Sequence, residues 1–320
     1  MQINMFKRKM LAAFVSCLFM AGCGAGEQES FTETVRKAAE EEAFTGPALW
    51  RVSDADTEIY LFGTVHTLHP DTRWEVAAID DALTAADAVY FEADTEDTQA
   101  VEAVSRTVTQ LGLYTDGRTL RDVLPAEAES EVEEAAALLG VRMQGFDNFK
   151  PWLASMALSN IHIESRGFDT ALGVEKIIGA DARKRGIPIR YLETGAYQLG
   201  LLASVPETEQ IALLTQTAEQ IEDEPEFLDD LIEDWAAGDV AALAKSIAAD
   251  DVYGSGEVYN LMLRTRNANW SEQIETLLEE EAGIFFIAVG AAHLAGEDSV
   301  QNLLAARGIK AQRENPQVTR

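Results

Sequence analysis

The sequence predicts an α/β fold, and three observations carry the prediction. Short apolar runs of strand length alternate with longer segments of helical spacing. A long, mainly helical stretch separates the third run from the fourth, as an insertion or cap over a sheet would. Four of the runs end in an ionisable residue or in a glycine turn leading to one, at the edge where layered sheets present ligand sites. With 320 residues, 47% of them hydrophobic, the chain can close such a core.

The elements follow in order. Residues 1–9 are basic through Lys7, Arg8 and Lys9, and 10–22 are apolar but short for a membrane span. The run ends Met20-Ala21-Gly22-Cys23, which resembles a bacterial lipobox, with Met where Leu is usual. That resemblance implies removal of residues 1–22 as a signal peptide and acylation of Cys23. An ordinary secretory signal, with Cys23 incidental, is the plainer alternative. Cys17 would leave with the signal, so no disulfide is expected. Gly24 stands where an aspartate would favour inner-membrane retention, which points to an outer-membrane anchor facing the periplasm. Residues 23–46 read as an acidic flexible tether and 47–320 as the globular domain.

Residues 49–52 and 59–62 flank the polar turn Ser53-Asp54-Ala55-Asp56 and predict a β-hairpin, which Gly63-Thr64-Val65-His66 ends. Val76, Ile79 and Leu83 set a helix over 75–86, and Ala88-Val89-Tyr90-Phe91 a strand ending at Glu92. Helices are expected over 126–139, 151–165 and 170–185, opened by Pro125 and Pro151 and closed by Gly140 and Gly186. Residues 187–192 form a strand that delivers Glu193. Helices resume over 197–247, punctuated by Pro206, Pro225 and Gly238. A loop at 253–256 precedes a helix over 257–280. Ile284-Phe285-Phe286-Ile287-Ala288-Val289 is the clearest buried strand and runs into Gly290-Ala291-Ala292-His293. A helix and a last strand near 309–312 close the chain.

Composition excludes some classes of function. Lysine and arginine total 25 against 55 acidic residues, a formal charge of −30, so no basic face is available for nucleic acid or anionic lipid. The chain has no H-E-x-x-H, G-x-S-x-G, Walker A, G-x-G-x-x-G or C-x-x-C pattern. Attention falls on its four histidines. His66 and His293 share one pattern, Gly-x-x-His directly after a strand, where glycine permits a sharp exit. Two imidazoles with Glu92 would suit a divalent ion such as Zn²⁺, Mn²⁺, Co²⁺ or Fe²⁺, with bound water as the hydrolytic nucleophile. The bland reading is two structural histidines bonded to backbone groups, and for Glu92 a partner for a nearby cation. His69 reads as a polar liner of the mouth and His162 as structural. Arg264 and Arg266, with Asn267, suit either a clamp on a substrate oxyanion or ion pairs with the abundant acids.

These residues resemble the TraB/GumN family. The resemblance rests on Leu49-Trp50-Arg51-Val52, Tyr60-Leu61-Phe62-Gly63-Thr64-Val65-His66, Val89-Tyr90-Phe91-Glu92, Pro151-Trp152, Gly167-Phe168-Asp169 and Leu192-Glu193-Thr194. It continues through Gln198, Arg264-Thr265-Arg266-Asn267 with Trp270, and Val289-Gly290-Ala291-Ala292-His293-Leu294-Ala295-Gly296. Animal Tiki proteins, membrane-tethered metal-dependent proteases, are similar and share both Gly-x-x-His motifs. The resemblance implies a central mixed sheet wrapped by helices, akin to erythromycin-esterase and ChaN-like proteins. It implies His66, His293 and Glu92 as metal residues, and Glu193, Arg266 and Asn267 as residues of the catalytic site. The expectation is a lipid-anchored, metal-dependent hydrolase of the cell envelope acting on a peptide or small molecule, with Glu193 transferring the proton. The rival expectations are a haem- or metal-binding envelope lipoprotein without hydrolytic activity and a structural envelope partner with a degenerate site.

Overall fold

A computed structural model describes residues 46–247 and 256–314. The expected signal, Cys23 and the tether up to residue 45 lie outside the described residues, as do residues 253–255 of the expected loop.

Six strands form one mixed sheet. They are β1 (Leu49–Ser53), β2 (Thr57–Thr64), β3 (Ala88–Phe91), β4 (Ile189–Tyr191), β5 (Gly283–Gly290) and β6 (Gln312–Arg313), in the order β4-β3-β5-β2-β1-β6. The expected hairpin is present, with Leu49 opposite Phe62 and Val52 opposite Ile59. β2 pairs in parallel with β5, β5 with β3, and β3 with β4. These four strands therefore point their carboxyl ends at the same edge. β2 and β5 lie at the centre and are almost continuously buried, as strands covered on both faces must be.

Alternate side chains of the central strands enter two apolar cores. Tyr60, Phe62, Phe286 and Ala288 face α1 (Ala77–Ala85), α6 (Val174–Arg185), α9 (Phe227–Ala236) and α10 (Val240–Ile247). Ile59, Leu61, Phe285, Ile287 and Val289 face α12 (Thr265–Glu280) and α13 (Val300–Ala306). The helical section between β3 and β4 continues beyond it. It comprises α2 (Thr98–Leu111), α3 (Leu120–Val123), α4 (Ala126–Leu138), α5 (Pro151–Ser165), α7 (Gly195–Ser204) and α8 (Glu207–Asp223). Helices α3, α4, α5 and α8 share a core of their own around Leu120, Val132, Ala135, Leu158 and Leu214, which gives physical form to the expected insertion.

Three boundaries differ from expectation. The helix expected over 170–185 is a 3₁₀ turn, Thr170–Leu172, then α6. Gly173 separates them because the chain there presses on the His66 carbonyl: a Cβ on Gly173 would sit 2.5 Å from that oxygen. The helix expected over 257–280 starts as the short α11 (Gly256–Tyr259), widens into a π-helical turn at Asn260–Arg264 and only then becomes α12. The last strand is β6 rather than 309–312. Its register, Trp50 opposite Arg313, is held by the Arg313 guanidinium over the Trp50 ring and by Arg51 to Glu314 at 2.7 Å. Among the described residues no helix is long and apolar enough to cross a membrane.

Candidate active site

The parallel register brings four strand ends together. Thr64 lies opposite Gly290 in the β2–β5 pair, and Phe91 lies beside both Ala288 and Tyr191. The next residues out are those the Gly-x-x-His turns and Glu92 and Glu193 supply. Close passage at β2 demands glycine: a Cβ on Gly63 would lie 3.0 Å from the Ala291 Cα, and the Gly63 carbonyl accepts from the indole N–H of Trp235 at 2.8 Å.

Glu92, Glu193, Arg266, Asn267 and His293 form one network. The Arg266 guanidinium, 4% exposed, donates through Nη2 to Glu92 Oε2 at 2.5 Å and through Nε to Glu193 Oε1 at 2.8 Å. Its Nη1 donates to the carbonyl of Met262 at 3.0 Å and lies 3.2 Å from His293 Nε2. Met262 belongs to the π-turn, so the widened helix supplies one of the carbonyls that hold this arginine. Trp270, one turn further along α12, lies under both groups, 4.7 Å from Arg266 Cζ and 4.3 Å from the His293 ring. Glu92 also accepts from the Gly290 N–H at 2.6 Å and from Gln198 at 3.1 Å.

Asn267 sets the state of His293. Its Nδ2 donates to the Asp298 carbonyl at 2.8 Å, which turns Oδ1 towards His293 Nδ1 at 2.5 Å. Nδ1 therefore carries the proton, and Nε2 is the nitrogen that accepts from Arg266. Burial, helped by the Arg266 charge, lowers His293 to about 3, so the ring is neutral. Burial pushes the Glu92 carboxyl up, but His293, Arg266 and His66 together with the Gly290 N–H more than offset it, leaving it at about 2. Burial raises Glu193 despite its bonds to Arg266.

His66 stands apart from this network and shares a pocket with only one of its five members, Glu92. Its Nδ1 lies 2.8 Å from Glu175 Oε1, and the Thr64 hydroxyl donates to the same oxygen at 2.5 Å. Glu175 stands in the first turn of α6, beside the tight Gly173 contact with the His66 carbonyl. The hydrogen bond and charge of Glu175 raise His66 to about 9. His66 is 76% exposed, so solvent screens that pair. A pocket of about 460 Å³ is lined by His66, Glu92 and Tyr191 from the sheet edge and by Glu175, Lys176 and Arg183 from α6. Arg266, Glu193 and His293 do not line it.

The expected metal residues His66, His293 and Glu92 share one feature of a ligand set. Each imidazole has its Nδ1 tied to an oxygen, Glu175 or Asn267, an arrangement common among metal-ligating histidines. The donors do not converge, however. Among the described residues no group of three His, Cys, Asp or Glu side chains is disposed to hold a metal ion. Arg266 sits at both His293 Nε2 and Glu92, where an ion bridging them would lie. As arranged, the set does not form a metal site.

Two expectations shift, those for Glu193 and His69, while Arg264 takes the ion-pair alternative. Glu193 is buried against Arg266 rather than open to the pocket. Arg264 points away and pairs with Asp298 at 2.9 Å. His69 packs on the Phe168 ring, with centroids 3.8 Å apart, and its Nε2 lies 3.3 Å from Asp229. Glu175, absent from the expectations, is the residue that orients His66. Its only sequence signal is an acidic residue opening a helix after a glycine.

The TraB/PrgY/gumN family model matches residues 48–313, which is nearly all of the described chain. The chain belongs to this family. It is 21% identical over 261 residues to "Uncharacterized protein YbaP" of Escherichia coli (strain K12), covering 82% of this chain and 93% of that protein. It is also 26% identical over 319 residues to "Metalloprotease TIKI1" of Danio rerio, and 24% over 317 residues to that of Homo sapiens. Those matches cover 82% of this chain and 62% and 61% of the two TIKI1 proteins. No solved structure is a significant match, so the likeness to ChaN and erythromycin esterases finds no counterpart there. The mixed sheet with flanking helices stands on the structure itself.

Proposed function

We propose that this chain is a hydrolase acting on a peptide or a related amide, at the pocket that His66 and Glu92 both line. The observation that carries this reading is the juxtaposition of an ionised carboxylate and an oriented imidazole at one mouth, in a family whose relatives include proteins named metalloproteases. Arg266 and the Gly290 N–H hold Glu92 ionised, so its remaining lone pairs face water or substrate. His66, held by Glu175, presents its second ring nitrogen as a donor to a developing oxyanion or leaving group. Arg266 and Asn267 act as positioning residues for Glu92 and His293.

Metal dependence is the finer part of the proposal. A carboxylate near 2 is a weak base, and a bound divalent ion would supply the missing activation by acidifying water. His66, Glu92 and His293 would have to converge on it, with Arg266 withdrawn from His293 Nε2 and His66 giving up its Nε2 proton, so that ligation by His66 would replace its donor role rather than add to it. We place the enzyme in the cell envelope, anchored through acylated Cys23 to the outer membrane and facing the periplasm, on the lipobox pattern alone.

The test uses purified full-length protein with an unbiased peptide library, with added Mn²⁺ or Zn²⁺ and with chelator. New peptide termini from the wild type, absent from His66→Ala, support the reading. Absence of cleavage under every metal condition overturns it. Metal content of wild type, His66→Ala and His293→Ala separates the second part: equal content in all three contradicts ligation. Incorporation of a palmitate analogue into wild type but not Cys23→Ala tests the anchor.

A further inference from the structure

One wall of the pocket is a basic stripe on α6. Lys176, Gly179 and Arg183 are spaced three and four residues apart and so share a helix face. Gly179 brings that face close to the floor: a Cβ there would lie 3.7 Å from the Phe91 ring and 3.4 Å from Arg183. The other ions of the pocket are matched. His66 pairs with Glu175, Arg183 with Glu96, and Glu92 with Arg266. Lys176 lines the same pocket and has no ion-pair or side-chain hydrogen-bond partner among the described residues. The other large pockets differ. The one beside Tyr90 is lined by Glu272, Glu280 and Glu281 with no lysine or arginine. In the one between α1 and α6, Arg185 is matched by Asp80 and Asp181. The ion pairs of the described residues use arginine and histidine, so an unpaired lysine is ordinary here; what sets Lys176 apart is its place in the lining of the candidate pocket.

We infer that Lys176 selects substrates carrying a carboxylate near the bond to be cleaved. This rests on the peptide-hydrolase reading above. The carboxylate is either an acidic side chain of the peptide or its C-terminus; both place one negative oxygen pair against a flexible ammonium. An anionic substrate is repelled by the acidic surface in general, and an unpaired cation in the pocket wall, rather than on the outer surface, is placed to offset that repulsion for a carboxylate held beside the site.

Affinity selection of a randomised hexapeptide library, prepared with free acid or amide C-termini, tests this on the full-length protein. Peptides retained by wild type, Lys176→Glu and Lys184→Glu are sequenced by mass spectrometry; Lys184 lies on the same helix outside the pocket. The wild type is expected to enrich either Asp and Glu at one position or the acid over the amide form, by roughly fivefold. Which arm enriches identifies the source of the carboxylate. Lys176→Glu is expected to lose that enrichment and Lys184→Glu to keep it. No enrichment in the wild type, or enrichment that survives Lys176→Glu, overturns the inference. Cleavage is read from the same samples: enrichment without new termini sinks the hydrolase reading alone, and new termini without acidic preference sink this inference alone.

Discussion

Nη1 of Arg266 lies 3.2 Å from Nε2 of His293, so a buried cation is seated at the ring nitrogen a divalent ion would need. The same guanidinium is shared by the Glu92 and Glu193 side chains, which are 15% and 7% exposed. Removing it leaves two carboxylates uncompensated. Arg266→Ala is expected to cost about 3–5 kcal/mol, read from urea unfolding midpoints, with Arg266→Lys intermediate because an ammonium cannot reproduce the fork. A loss below 1 kcal/mol would show that the network is not held by this residue.

Asn267 fixes which nitrogen of His293 carries the proton. Asn267→Ala strands Nδ1–H in a buried site, and a loss of about 1–3 kcal/mol is expected. Activity should fall further than in an equally destabilised variant elsewhere, since the ring is released to the wrong tautomer. Comparison with a core variant of matched stability, such as Ile274→Val, makes that measurement.

Gly173 is predicted to be required because of the His66 carbonyl. Gly173→Ala places a methyl 2.5 Å from that oxygen, and about 1–3 kcal/mol of stability should be lost along with turnover. Gly200→Ala, in α7 with nothing within 4 Å of the added Cβ, should be neutral or gain up to about 1 kcal/mol. Equal behaviour of the two variants would contradict the close approach.

Stability should decline on both sides of neutrality. Glu92, lowered from 4.5 to about 2, stabilises fully above its unfolded value and loses that contribution as pH falls towards 2. His293, lowered from 6.5 to about 3, makes the unfolded chain the better proton acceptor between those values, so acid destabilises there as well. His66, raised from 6.5 to about 9, contributes fully below 6.5 and loses its contribution as pH rises through 9. Unfolding midpoints across this range should show a broad maximum. Glu175→Gln should flatten the alkaline side and also remove Glu175's own acid-side contribution, since, despite burial, His66 and Thr64 hold its carboxyl below the usual range; an unchanged alkaline limb would disprove the His66–Glu175 pair.

Much of the site was legible because strand ends are local signals. An apolar run followed by Gly-x-x-His, or ending in Glu, states its own position, and parallel pairing then carries all four ends to one edge. Partner choice was not legible. Whether Arg266 clamps substrate or pairs with an acid depends on which carboxylates the fold brings within reach, and that is Glu92 and Glu193. Glu175 is far from His66 in sequence, and its role arises only where α6 crosses the end of β2. The helix break at Gly173 leaves no trace in periodicity, since it answers a contact with the His66 carbonyl, and the π-turn at Asn260–Arg264 is not marked by residue spacing either. The shift of β6 likewise follows from Trp50 and Arg51 across the sheet.

The central claim, water-dependent cleavage at the His66–Glu92 pocket, is tested most directly by digesting the peptide library in ¹⁸O-enriched water with full-length wild type, His66→Ala and Glu92→Gln. Both variants are first checked for native circular dichroism. The account predicts new C-termini carrying a single ¹⁸O from the wild type and none above background from either variant. New termini at equal yield from all three proteins, or none from the wild type with Mn²⁺ or Zn²⁺ supplied, would contradict it.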